Sequence, residues 1–460
     1  MLKRYIGDKA FYKRVLLVLL PIVIQNFITN FVSMLDNVMV GAIGTMPMSG
    51  VSITNQLMFV YSVCIFGACS AAGIFTAQFC GSQNHEGIRN AFRFKVLVCL
   101  LVSAVVYVLC LVWGEELVSL YLKGEGDPAE AEQVLEYAME YMKALFIGFI
   151  PFALANSYST TLRECGQTLV PMVGGIAAVL TNLVLNYILI FGHFGAPAMG
   201  VRGAAVATNV SRFVELGIVA GWAHTHGKLH PFIRGVYKTF RIPGKLLKEI
   251  SGKGLFLLFN EIAWAAGIAL MNQSYSTCGL EVVPAMNIAN TIRNLSNVTY
   301  MAMGSAVGIL MGQLMGSGAS EKRVRDENRK LQFTATVAGL LCGIVMALMS
   351  GVFPLAYNTE DGVRNLASQL ILVSALVMPF GAYTLSAYFT LRSGGKVFIT
   401  FLFDSGFVWV AMVPLAFFLS RFTNIPIVPL YLICNSTEVI KCVFGYIFLK
   451  KVKWVSDLSK

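Results

Sequence analysis

Long apolar runs recur along the whole sequence and decide what the chain can fold into. Twelve of them are long enough to cross the hydrocarbon core of a bilayer as helices, which takes about 20 apolar residues for about 30 Å. They are residues 15–40, 50–79, 92–113, 137–162, 168–192, 200–223, 254–278, 282–314, 331–353, 366–391, 397–421 and 426–450. Because backbone polar groups inside lipid must bond to one another, such runs form helices. We predict an all-α integral membrane protein with twelve transmembrane helices.

Composition excludes a large soluble protein. Hydrophobic residues make up 56% of the chain and charged residues only 13%, whereas an average soluble domain carries about 25% charged residues. The sequence also contains no phosphate-binding glycine loop, no HExxH and no GxSxG motif. We therefore expect neither an enzyme nor a transporter driven by ATP within this chain.

The basic residues lie between the apolar runs and indicate the orientation. The net charge is +11, and residues 224–253 hold seven Lys or Arg and one acid. The turn with Arg89, Arg93 and Lys95 and the segment 321–330 are basic too, while residues 115–140 are acidic. Basic loops mark the cytoplasmic side. We predict that both termini lie in the cytoplasm, that the protein is multi-pass in a bacterial inner membrane, and that it binds no nucleic acid.

The two halves of the chain repeat each other. At one constant spacing Asn55 matches Asn290. The same spacing aligns five further pairs of polar or small residues, which are Ser70 with Ser305, Gly73 with Gly308, Gln78 with Gln313, Gly81 with Gly316 and Glu86 with Glu321. Six spans per half give parallel repeats, a known transporter design. We predict an N-lobe over 1–223, a cytoplasmic basic linker over 224–253 and a C-lobe over 254–460, as two pseudo-symmetric six-helix bundles.

Acids inside the apolar runs are the strongest indication of function. Asp36, Glu261 and Asp404 lie within predicted spans, and Glu215 and Glu438 are secondary candidates. A charged residue at the centre of a membrane helix costs about 2.5–3.5 kcal/mol on insertion scales, so it usually faces a polar interior and serves a function.

Asp36 has candidate partners in spans five and six. Asn182 and Asn186 are spaced i, i+4 and therefore share one helix face, and Thr208 follows in the next span. A carboxylate with amide and hydroxyl oxygens could hold Na⁺, or Asp36 could be a protonation site held by hydrogen bonds. The alternative is that the amides only join helices.

Glu261 and Asp404 lie deep in spans seven and eleven. Either one could carry a proton or anchor a cationic substrate, and either one could instead form a structural hydrogen bond. Arg293 in span eight could neutralise one of them.

Several motifs in order give the chain a family resemblance. They are PIVIQNFITNFVSMLDNVMVGAIG (21–44), AQFCGSQ (77–83), TLRECGQ (161–167), NLVLNYILIFG (182–192), GAAVAT (203–208), LFNEIAW (258–264) and MGQLMGSG (311–318). The sequence resembles the multidrug and toxic compound extrusion (MATE) family over essentially its whole length. The resemblance implies a twelve-helix, two-lobed antiporter that exports organic cations against inflowing Na⁺ or H⁺.

The resemblance also suggests roles for residues. Asp36 matches the first-helix aspartate of the family's cation site in the N-lobe, and Asn182 and Thr208 match accessory positions. Asn186 stands where some members have aspartate, so the site has one negative charge fewer. Glu261 matches the seventh-helix acid of one branch, whose tenth-helix aspartate has no counterpart in residues 368–392.

These observations define the expected activity. We expect a monomeric, lipid-embedded antiporter that exports small organic cations or drug-like amphiphiles by alternating access. It needs no cofactor other than Na⁺ or H⁺ as the coupling ion. The alternative is a flippase of the same superfamily that moves a lipid-linked amphiphile.

Overall fold

The computed structural model of the chain describes residues 5–122 and 128–459. Within these ranges the protein is helical and has no β-strand. The α-helices are α1 (Lys9–Gly41), α2 (Thr45–Gly81), α3 (His85–Leu122), α4 (Pro128–Leu145), α5 (Phe149–Glu164), α6 (Leu169–Phe191), α7 (Gly200–Thr225), α8 (Gly244–Ser276), α9 (Val282–Gly316), α10 (Glu321–Met349), α11 (Asp361–Ser393), α12 (Val397–Phe401), α13 (Val413–Phe422) and α14 (Ile427–Lys451).

The helices confirm the predicted all-α membrane architecture. In the described part of the chain, 11 helical segments are long and apolar enough to cross a membrane. One of them joins α4 and α5 through a 3₁₀ turn, Phe146–Gly148, and another joins α12 and α13. The remaining predicted span, 200–223, is the continuous helix α7, which is less apolar because it carries Arg202, Arg212 and Glu215.

Between α12 and α13 the backbone is wound more loosely than an α-helix. Two π-helical turns, Leu402–Gly406 and Val408–Met412, follow each other there. π-helical turns are rare and are frequent at functional sites. Asp404 lies in the first of them.

Contacts between residues divide the chain into two compact units. The N-terminal unit consists of residues 24–76 and 84–250, and the C-terminal unit consists of residues 1–23, 77–83 and 251–460. The lobe boundaries at 223 and 254 stay a prediction. Helix α8 begins at Gly244, so the last ten residues of the predicted linker 224–253 are helical.

The C-terminal unit has a large apolar core. Buried side chains of α9, α11 and α14, among them Ile288, Leu370 and Tyr431, form one cluster. The start of α1 belongs to a second cluster, in which Phe11 and Val15 pack with residues of α9 such as Met311.

Helices α6 and α7 of the N-terminal unit pack very closely because α7 begins with small residues. A Cβ atom at Gly203 would lie 2.7 Å from the carbonyl oxygen of Leu189 on α6. Small residues at a helix interface let two backbones approach within a membrane. This close approach places the polar residues of α6 and α7 next to each other.

The basic turn after α2 is not a free cytoplasmic loop. Lys95 is a fully buried residue of α3, and its Nζ donates to Thr161 at 3.1 Å and to Glu164 Oε2 at 2.5 Å. Arg93 is also buried, and its guanidinium donates to the carbonyl oxygen of Val236 at 2.8 Å. These side chains therefore hold elements of the N-terminal unit together.

A glycine pair in α7 tests this close packing. We expect Gly203→Val to lower the stability of the protein by about 1–3 kcal/mol, because the new side chain forces α7 away from α6. The matched control is Gly217→Val in the same helix, where nothing lies within 4 Å of a Cβ atom. Thermal unfolding in detergent compares the two variants with the parent, and equal stability of both variants would contradict the close approach.

Candidate ion-coupling site

Asp36 lies in the half of α1 that belongs to the N-terminal unit, and its side chain is half-buried. Its Oδ1 accepts a hydrogen bond from Asn186 Nδ2 at 2.8 Å. Asn186 is 2% exposed, so this bond is formed away from solvent.

Asn182 completes the cluster around the carboxylate. Its amide satisfies its neighbours best with the nitrogen toward Asp36, at 3.0 Å from Oδ1 and 2.8 Å from Oδ2. Its oxygen then accepts from the hydroxyl of Thr208 at 3.2 Å. The structure thus brings together all four residues that the sequence analysis singled out, and their role as a coupling site stays a prediction.

Helix geometry explains how these residues meet. Asn182 and Asn186 are one turn apart on α6 and point to the same side of the helix. The approach of α7 at Gly203 brings Thr208, just over one turn later, to the same level.

The charge of Asp36 is unpaired among the described residues. In the described part of the chain no Lys, Arg or His forms an ion pair with this carboxylate, although eight ion pairs occur elsewhere. The groups that contact it are neutral amides that present N–H donors. N–H donors in this position satisfy an ionised carboxylate, and the same two amides would offer oxygen to a cation if they were turned over.

A cavity of about 120 Å³ lies beside this cluster within the N-terminal unit. Thr208 belongs to its wall, as do Tyr141, Asn209 and Arg212. A cavity of this size with several polar groups in its wall can hold water. The guanidinium of Arg212 lies 4.6 Å from the ring centre of Phe152. The sequence analysis missed Arg212, although it is a charge within an apolar run.

In the C-terminal unit Asp404 forms an ion pair that the sequence analysis did not anticipate. Lys441 Nζ of α14 lies 2.9 Å from Asp404 Oδ1, and Lys441 is 6% exposed. Asn260 of α8 donates to Asp404 Oδ2 at 3.3 Å. Lys441 could have been found as a basic residue inside an apolar run. Arg293 instead donates to the hydroxyl of Tyr431 at 3.3 Å and forms no ion pair in the described residues.

Glu261 is half-buried and follows Asn260 on α8. No hydrogen bond or ion pair joins Glu261 to another side chain in the described part of the chain, and its role stays a prediction. Of the secondary candidates, Glu215 forms an ion pair with Arg212 at 3.4 Å. Glu438 accepts a hydrogen bond from the hydroxyl of Thr384 on α11 at 3.0 Å.

Neither unit presents a transition-metal site. Among the described residues, no group of three or more His, Cys, Asp or Glu could hold a metal ion.

Comparison with known proteins agrees with this architecture. A sequence profile of the family MatE matches residues 21–188 and 259–418, which is more than half of the chain. Each matched segment lies within one half of the sequence, as the internal repeat requires.

Relatives match over most of their length. A probable multidrug resistance protein NorM of Thermotoga maritima is 23% identical over 444 residues, which cover 96% of this chain and 93% of that protein. The multidrug resistance protein MdtK of Yersinia pestis is 27% identical over 396 residues, 83% of this chain and 82% of that protein. A crystal structure of the Vibrio cholerae MATE transporter VcmN has the same fold, with a TM-score of 0.84, 15% identity and coverage of 97% and 98%.

The ion pair between Asp404 and Lys441 allows a test of which acid in the C-terminal unit is functional. Lys441→Met leaves the half-buried carboxylate of Asp404 without its partner, which costs up to about 3–5 kcal/mol, whereas replacing both partners is close to neutral. We expect Lys441→Met to be destabilised and Asp404→Asn/Lys441→Met to regain the stability of the parent in thermal unfolding. We also expect the double variant to transport normally. Loss of transport in this stable double variant would show that Asp404 itself takes part.

Proposed function

This chain belongs to the MATE family of multidrug efflux transporters, and we propose that it is an antiporter that exports organic cations or drug-like amphiphiles in exchange for inward-moving protons. The proposal includes alternating access as the mechanism and a bacterial inner membrane as the location, with both termini in the cytoplasm. The substrates are suggested by the names of the NorM and MdtK relatives.

The observation that carries the proposal is the environment of Asp36. Its carboxylate is held within a membrane span by amide N–H groups of Asn182 and Asn186 and by no cation in the described residues. An acid at this depth is rare unless it is functional. Because its partners are neutral, Asp36 can gain and lose a proton without breaking an ion pair.

The geometry favours a proton over Na⁺. A sodium ion at Asp36 would require oxygen ligands, whereas Asn186 donates an N–H to the carboxylate and Asn182 satisfies its neighbours best with nitrogen toward it. Sodium binding would therefore need Asn186 to turn over and Asn182 to present its oxygen. Protonation of Asp36 needs a smaller rearrangement, because one new acceptor for the carboxyl O–H is sufficient.

Asn186 can supply that acceptor. Its Oδ1 is buried and has no hydrogen-bond partner. If the Asn186 amide rotated by half a turn, Oδ1 would face Asp36 and accept from the protonated carboxyl group. The rotation would break no hydrogen bond at Oδ1, because that atom has none. The Asn186 amide can therefore change its orientation when Asp36 is protonated.

We assign the outgoing cation to Glu261. Asp404 is already paired with Lys441 at 2.9 Å, whereas Glu261 has no such partner in the described residues and is half-buried. An acid of this kind can hold a cationic substrate by charge, and the apolar surroundings strengthen the attraction. No organic cofactor and no partner protein enter the proposed cycle, in which the protein acts as a lipid-embedded monomer.

Transport by purified protein in liposomes tests the proposal. We expect export of a fluorescent organic cation to be driven by a pH gradient and not by a Na⁺ gradient at equal pH. Asp36→Asn keeps the hydrogen-bonding shape of the side chain but cannot take up a proton, so we expect its gradient-driven export to fall to the background of empty liposomes. The matched control is Asp361→Asn, because the Asp361 side chain is 88% exposed at the start of α11.

Three results would contradict parts of this proposal. Export by Asp36→Asn at the rate of the parent would remove Asp36 from the coupling mechanism. Export driven by Na⁺ and not by protons would show that the amides do turn over to bind sodium. Absence of transport under both gradients would favour the flippase.

A further inference from the structure

The linker between α7 and α8 forms a cavity of about 570 Å³ within the N-terminal unit. Its lining includes His224, Lys228, Arg234, Tyr237 and Lys238 and no acidic residue. We call this space the basic cavity. It lies outside the sites around Asp36 and Glu261 and has no role in the transport cycle proposed above.

The cations of the basic cavity are not neutralised by the protein. Lys228, Arg234 and Lys238 are exposed, and none of them forms an ion pair in the described part of the chain. Elsewhere on the chain basic residues of this kind do pair, as Arg364 does with Asp361 at 3.0 Å. Three unpaired cations around one space form a site for an anion.

The wall of the cavity is held in a defined shape. Arg89 donates to the carbonyl oxygen of Phe232 at 3.0 Å. Arg93 donates to the carbonyl oxygens of Val236 at 2.8 Å and Gly235 at 3.2 Å. Two arginines of α3 therefore fix the backbone that carries Arg234 and Lys238, and the cations do not depend on a mobile loop for their position.

The surroundings of the cavity favour a lipid over a soluble anion. Leu229 is 66% exposed, Tyr237 is 44% exposed and Phe240 is 46% exposed. Apolar and aromatic side chains next to basic ones are typical of segments that lie at the membrane surface. A free phosphate or nucleotide would leave this apolar surface unused.

We propose that the basic cavity binds the phosphate headgroup of an anionic phospholipid, such as phosphatidylglycerol. The three cations would contact the phosphate, and Leu229, Tyr237 and Phe240 would lie against the lipid at the level of the headgroups. The leaflet is the cytoplasmic one if the linker faces the cytoplasm as predicted. Basic pockets of membrane proteins on that side are known to bind such headgroups.

Lipid binding by purified protein in detergent tests the proposal. Native mass spectrometry counts the lipids retained, and thermal unfolding measures stabilisation by phosphatidylglycerol, phosphatidylcholine or inorganic phosphate. The cavity variant is Lys228→Gln/Arg234→Gln/Lys238→Gln. The matched control is Arg241→Gln/Lys245→Gln/Lys248→Gln, which removes the same charge from exposed positions of the linker region that do not line the cavity.

We expect the parent to retain phosphatidylglycerol in preference to phosphatidylcholine. The cavity variant should lose about tenfold or more in affinity for phosphatidylglycerol, because it lacks the three cations that contact the phosphate. The control should lose less than about twofold, because its three cations do not line the cavity. All six side chains are exposed, so we expect both variants to fold, which their melting temperatures without lipid will verify. If a triple variant does not fold, Arg234→Gln and Lys248→Gln replace the two triple variants.

Two outcomes would overturn the proposal. Equal losses in the cavity variant and the control would show that the overall charge of the linker attracts lipid and that the cavity does not. Stabilisation by inorganic phosphate equal to that by phosphatidylglycerol would show that the cavity takes a soluble anion.

Discussion

Placing a charge in apolar surroundings costs free energy, and the structure depends on how that cost is offset. The charged groups of this protein offset it in different ways. Lys95 and Glu164 pair with each other, as do Asp404 and Lys441. These pairs fix helices, because separating them leaves a buried charge. Asp36 differs, since its partners are neutral amides. A carboxylate held in this way can change its charge while the helices around it stay packed, which is the property that ion coupling requires.

Sequence predicts the fold well because the bilayer imposes one length and one polarity on every span. It also predicts the cluster around Asp36, since Asn182 and Asn186 are polar residues at helical spacing within an apolar run. What it could not provide is the side-chain geometry. Only the structure shows that Asn186 donates an N–H to the carboxylate and that Asn182 satisfies its neighbours best with nitrogen toward it, and the proposed proton coupling rests on this orientation.

The misses have a common physical origin. Lys95 was counted as a residue of a basic turn because charge was assigned to loops, yet it is buried in α3. Arg293 was the expected counter-ion of the intramembrane acids, whereas the structure pairs Asp404 with Lys441. Pairing across helices brings together residues far apart in sequence, such as Asp404 and Lys441, and no local pattern marks them. In helix α7 the relevant residues are adjacent in the sequence. Its small residues lower the apolar character of the span but allow the close packing against α6 that builds the site.

In the proposed exchange, binding of an organic cation and loss of the proton from Asp36 are linked. Proton release on substrate binding tests it most directly, measured with a pH indicator in weakly buffered detergent solution without a membrane gradient. We expect proton release by the parent protein and by Asp361→Asn, and none by Asp36→Asn that still binds the substrate. Release by Asp36→Asn equal to that of the parent, or substrate binding by the parent without any release, would contradict it.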